Sequence, residues 1–119
     1  MELQIEARPL TGGIHEVRLE GSLDSATHQH LEGRLQRLME QPVAGLIFDM
    51  SGVHYVSSAG VRVIFWAQKH LRDRQAHVAL TGLRPKVNEI FEIMKIVPVL
   101  NIFDEIQDAQ RFMDRVMGR

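Results

Sequence analysis

The chain has 119 residues, one ordinary domain's worth, and folding at this length buries about two-thirds of the unfolded surface without staples. Hydrophobic residues make up 45% and charged residues 24%, a globular balance, and a formal charge of −1 gives no argument for nucleic acid or an anionic membrane. The absence of cysteine excludes a disulfide framework, a thiolate zinc site and a cysteine nucleophile.

No run approaches the roughly 18 apolar residues that span a bilayer. The N-terminal MELQIEARPL has an acid at its second residue and no apolar core, unlike a secretory signal. The expectation is a soluble cytoplasmic protein without membrane insertion.

Leu3, Ile5 and Ala7 alternate with polar residues, the period of a half-buried strand. Pro9 and Thr11-Gly12-Gly13 break it, and Ile14, Val17 and Leu19 begin a second strand, so the glycines are expected to turn a hairpin. Gly21-Ser22-Leu23-Asp24-Ser25 reads as a loop able to cap a helix, because short oxygen side chains accept the orphan N–H groups of a first turn. Leu31, Leu35, Leu38 and Met39 then recur at helical spacing until Pro42. Leu46-Ile47-Phe48 lacks alternation and reads as a strand buried on both faces.

Residues 51–58 read as a loop, followed by a helix carrying Val61, Ile64, Phe65, Gln68 and Leu71. Its basic end (Lys69, His70, Arg72) suits the negative end of the helix dipole. His77–Leu80 is a short strand, and Pro85 fits the first position of a third helix with Val87, Ile90, Phe91 and Met94 on one face. Val99–Ile102 is a last strand. Asp104, with Gln107 three residues on, suggests a capping box before a helix that buries Ile106, Ala109, Phe112, Met113 and Val116. The predicted fold is one α/β domain over residues 1–119, ordered ββαβαβαβα. Five strands in a mixed, mostly parallel sheet are backed by four helices.

Catalytic constellations are weak. There is no phosphate-cradling glycine motif and no G-x-S-x-G elbow. The six histidines are scattered, and His28 and His30 are two apart, which points them to different helix faces. No metal, cofactor or catalytic residue is expected. Trp66 and the Met and Phe side chains at helical spacing read as core.

The informative stretch is Asp49 to Val61, where a buried strand leads to a helix beginning near Ser58. Ligands and partners of open α/β sheets collect beyond such carboxyl ends. Ser58 is placed to cap the helix. A phosphate there would meet unsatisfied N–H groups and add about −1.5 to −2 charges to a docking surface without refolding the domain.

With Gly21-Ser22-Leu23-Asp24, Leu46-Ile47-Phe48-Asp49-Met50-Ser51, Ser57-Ser58-Ala59-Gly60-Val61, Leu80-Thr81-Gly82-Leu83, Pro85-Lys86-Val87 and Phe103-Asp104-Glu105-Ile106 in this order, the chain resembles the STAS domain family. Within that family it looks like a stand-alone bacterial anti-sigma factor antagonist. The resemblance implies a regulatory module without catalysis of its own. Such a module binds an anti-sigma factor that is also a serine kinase, is released by phosphorylation, and is restored by a serine phosphatase. Aligned on Gly60, the phospho-acceptor is Ser58, with Ser57 in reserve. Asp24, Ser57, Ser58, Ala59, Gly60 and Val61 form the expected partner-binding set, and the docking patch is expected to extend onto exposed parts of the second helix. Two positions depart from the family pattern. Ser57 stands where an Asp is usual, and Ala59 replaces a second hydroxyl residue.

Two other classes compete. One is a structural STAS subunit of a lipid-transport or signalling assembly that works unphosphorylated. The other is a small serine hydrolase using Ser58.

Overall fold

The computed structural model describes residues 2–95 and 100–118. Chain order is β1 (Leu3–Pro9), a single 3₁₀ turn, β2 (Ile14–Leu23), α1 (His28–Leu38), β3 (Gly45–Val56), α2 (Ser58–Arg72), β4 (His77–Thr81), α3 (Pro85–Ile93), β5 (Asn101–Phe103) and α4 (Ile106–Val116). This is the predicted order of five strands and four helices. The strands lie in the sheet in chain order. β1 pairs with β2 antiparallel, from Leu3 opposite Gly21 to Pro9 opposite His15, and every other pair is parallel.

That order sorts the helices. When successive parallel strands add in one direction with crossovers of one hand, the crossover helices share a face. Residues of α1, α2 and α3 pack with Val17, Leu19, Leu46, Phe48, Met50, Val78 and Leu80 in one large core. α4 follows the last strand and covers the other face, where Ala109 and Met113 pack on Ile14, Ile47 and Ala79. Leu46, Ile47 and Phe48 are all fully buried, the first and third under one core and the second under the other. The run without alternation is thus a strand covered on both faces. No helix among the described residues is long and apolar enough to cross a membrane.

Several boundaries differ from the sequence reading. Pro9 ends β1 rather than breaking it, which an edge strand tolerates. Gly21-Ser22-Leu23 and Ser51–Val56 are strand, not loop, because β2 and β3 keep pairing to Leu23 opposite Val56. Register shifts lie between Arg18 and Glu20 and between Gly21 and Ser22, where β3 takes up two extra residues. Such bulges interrupt the alternation that would have signalled a strand. Gly52 sits at the first: a Cβ there would lie 2.8 Å from the Leu19 carbonyl oxygen.

Pro85 occupies the first turn of α3 as expected. Asp104 does not cap α4. Its N-cap is Glu105, with no side-chain cap bond, because β5 runs to Phe103 and two residues carry the chain from the sheet onto the opposite face. Val116 is 39% exposed rather than buried. Ile106 and Phe112 are half-buried. Val99, the expected first residue of the last strand, lies outside the described residues.

Candidate functional site

The site is built by a difference in strand length. β3 pairs with β4 only as far as Asp49 opposite Thr81, but with β2 as far as Val56. The β2–β3 pair therefore runs on beyond the rest of the sheet, and its carboxyl end carries both the Asp24 turn and the start of α2. Met50, Val53 and Val56 anchor this extension by pointing into the large core.

On the β2 side the chain turns through Asp24. Its Oδ1 accepts hydrogen bonds from the Ala26 and Thr27 backbone N–H groups (3.0 and 3.2 Å) and from the Thr27 hydroxyl (3.2 Å). Thr27 Oγ1 donates to the Ser22 carbonyl at 2.7 Å and accepts the Asp24 N–H at 3.0 Å. This is an Asx turn closed by a buried threonine, and Thr27 is the N-cap of α1. Thr27 makes no side-chain cap bond to α1, so the cap expected of residues 21–25 falls neither on them nor on Thr27. Asp24 stands at the site as a held turn residue.

On the β3 side, Ser57 donates its backbone N–H to the Leu23 carbonyl at 2.9 Å, tying the start of α2 to the end of β2. Gly60 presses against the same carbonyl: a Cβ on it would fall 2.4 Å from Leu23 O and 2.6 Å from Leu23 Cγ. Only a residue without a side chain lets α2 lie this close. Val61 donates to the Ser57 carbonyl (3.0 Å) and is fully buried.

The two serines have opposite environments. Ser57, not Ser58, is the N-cap of α2, with extended backbone (φ −113°, ψ 172°). Its Oγ makes no cap bond, is enclosed, and has no hydrogen-bond partner among the described residues. Ser58 is the first helical residue and is exposed. The first N–H groups of α2 accordingly lack a side-chain cap, and the positive end of the helix dipole lies beside an exposed hydroxyl. Ala59 is half-buried. Gly60 and Val61 of the expected partner-binding set are buried, because helical periodicity turns them onto the end of β2 and into the core. They shape the surface from beneath, while Asp24, Ser57, Ser58 and Ala59 surround its visible part.

Ser57→Ala is expected to leave stability unchanged or raise it. Loss of a working N-cap serine costs about 1 kcal/mol, but here the lost oxygen is enclosed and unpaired, a state that itself costs about 1–3 kcal/mol. Thermal unfolding checks this; a fall of 5 °C would mean that the hydroxyl caps α2.

Neither serine hydroxyl has a hydrogen-bonded histidine or carboxylate among the described residues, the arrangement that activates a serine nucleophile. The sequence reading counts exposed parts of the second helix in the docking patch but names none of its residues beyond Val61. Trp66 and Phe65, expected in the core, are half-buried at its margin. Trp66 stacks on His70 with ring centroids 5.7 Å apart. With Arg62, Gln68, Lys69 and Arg72 they line a groove of about 500 Å³. The available signal was the spacing of Ser58, Arg62, Phe65, Trp66, Lys69 and Arg72 along one helical stripe. Tyr55, near the end of β3, is 53% exposed.

Comparisons with known proteins agree with this geometry. Over 86 residues the chain is 36% identical to BtrV of Bordetella bronchiseptica, which carries the name of an anti-sigma factor antagonist, covering 70% of this chain and 74% of that one. Its fold superposes on the crystal structure of an anti-sigma factor antagonist from Mycobacterium paratuberculosis with a TM-score of 0.85 (15% identity, 93% of each chain). It also matches the anti-sigma factor antagonist SpoIIAA in its unphosphorylated form, with a TM-score of 0.72 (17% identity, 98% of this chain and 100% of that one). The phosphorylated form from Bacillus matches at 0.71 (16% identity, 92% and 99%). Residues 7–109 match the model of the STAS domain, and the chain belongs to the STAS domain family.

Proposed function

We propose that this protein is an anti-sigma factor antagonist: it docks on an anti-sigma factor that is also a serine kinase, and phosphorylation of Ser58 releases it. The observation that carries the reading is the exposed Ser58 hydroxyl at the first position of α2, on the projecting end of the β2–β3 pair. The names of its relatives support the same role. In this reading the kinase transfers the γ-phosphoryl group of ATP to Ser58 Oγ, which loses its proton, and ADP leaves. A serine phosphatase returns the hydroxyl by transferring the phosphoryl group to water. The phosphate would face uncapped N–H groups and the positive end of the helix dipole, so the fold carries it without rearrangement. The protein itself supplies no catalytic group and works in the cytoplasm with its two modifying partners.

Ser58 is favoured over Ser57 as the acceptor because the Ser57 oxygen is enclosed. With Ala59 replacing the family's second hydroxyl residue, Ser58 is the one exposed hydroxyl of the segment 57–61.

The direct test is incubation of the purified chain with ATP and the anti-sigma serine kinase of its own host, followed by intact mass and site mapping. One phosphate on Ser58 is expected, and none on Ser58→Ala. Phosphate on Ser57, or none on either form, overturns the assignment. Protein recovered from the native host unmodified and stably attached to transporter subunits would favour a structural STAS subunit instead.

A further inference from the structure

Between Ser58 and Arg72, α2 contains no acidic residue, although the whole chain carries more acids than Lys and Arg. Its cations Arg62, Lys69 and Arg72 are exposed, and none is in an ion pair among the described residues. They flank the apolar floor made by Phe65 and Trp66. Arg62 has a special place among them. It lies four residues after Ser58, so the two side chains stand one above the other on the same helix face.

We propose that Arg62 reads the modification state of Ser58. With Ser58 unmodified, Arg62 pairs with a carboxylate of an acidic, partly apolar segment of the partner seated in the α2 groove. With Ser58 phosphorylated, Arg62 pairs with the phosphate one turn away and is withdrawn from the interface. This rests on the reading of Ser58 as the switch and adds the residue through which the switch acts. Charge complementarity argues for the acidic occupant: an apolar strip flanked by three unpaired cations favours a partner with carboxylates beside its apolar groups. A guanidinium suits the task because it binds carboxylate and phosphate alike through paired N–H donors. Phosphorylation then acts twice. It brings negative charge to face the partner's acids, and it neutralises the cation that had attracted them.

The test uses full-length protein with phosphoserine genetically encoded at position 58, with Arg62 intact or replaced by Gln or Lys. The phosphorus-31 resonance is followed against pH. The other ionisable groups at this end of the sheet, among them Glu2, Glu20, Asp24, His28, His54, Tyr55 and Arg84, are the same in all three proteins. Pairing favours the dianion, so the phosphate titrates about 0.3 pH unit lower with Arg62 than in Arg62→Gln, and Arg62→Lys keeps most of that shift. Coincident curves overturn the pairing.

A second arm measures binding to the purified anti-sigma kinase. Unmodified Arg62→Gln is expected to bind about fivefold more weakly than wild type. Phosphorylation of Ser58 should then weaken binding by a smaller factor in Arg62→Gln than in wild type. Equal factors in both backgrounds overturn this inference alone. Equal affinity of wild-type protein with and without the phosphate overturns the switch reading beneath it.

Discussion

Ser58→Asp is expected to bind the anti-sigma kinase about 30-fold more weakly than wild type, a loss of about 2 kcal/mol, while its melting temperature stays within 2–3 °C. The two halves of the result have separate causes. Position 58 is exposed at the first turn of α2, where an acid meets uncapped N–H groups and the positive dipole end, so the fold itself is not strained. At an interface the same charge loses water and faces whatever the partner placed against a hydroxyl, which costs several kcal/mol when that surface is acidic. Ser58→Ala removes one hydroxyl and adds no charge, so it should bind within about threefold of wild type. Isothermal titration against the purified kinase, with melting curves on the same samples, separates the effects. Equal affinity of the Asp and Ala forms would remove the electrostatic switch.

Gly60→Ala is expected to lower the melting temperature by about 5–10 °C and to weaken docking as well. In an ordinary helix the exchange would stabilise by about 1 kcal/mol. The close approach of Leu23 reverses the sign. A Cβ 2.4 Å from a backbone carbonyl oxygen cannot be absorbed by turning a flexible side chain. Either α2 lifts from the end of β2 or the Leu23 carbonyl tilts, and the Ser57 N–H bond to that carbonyl is lost or stretched. Overpacking of this kind costs about 1–3 kcal/mol or more. The first turn of α2, and with it Ser58, moves from its platform. An unchanged or raised melting temperature would show that the helix has room to adjust.

The fold was largely legible in the sequence because its signals are local. The unbroken Leu46-Ile47-Phe48 run announced a strand covered on both sides, and Pro85 announced a helix start. The misreadings came where distant pairing overrides local pattern. Ser51-Gly52 looks like a turn, but β2 holds both residues in the sheet across a bulge. Asp104 and Gln107 look like a capping box, but where α4 begins depends on how far β5 extends.

The helix start at Ser58 was legible because a strand end followed by a helix start is a sequence pattern. Which serine lies open and which is enclosed was not, since that depends on Leu23, thirty-five residues from Ser58. Nor was the outward tilt of Phe65 and Trp66. Their spacing fits a core as well as a groove, and only the packing of α2 on the sheet decides between the two.

The antiparallel pairing of β1 fixes where the molecule can be handled. Leu3 stands opposite Gly21, so the first residues arrive at the same end of the sheet as Asp24 and Ser58. Met113, six residues before the last, packs over Gly45 at the opposite end. A purification tag, fluorophore or surface tether is therefore best attached at the C-terminus, because an N-terminal attachment would crowd the face proposed for docking.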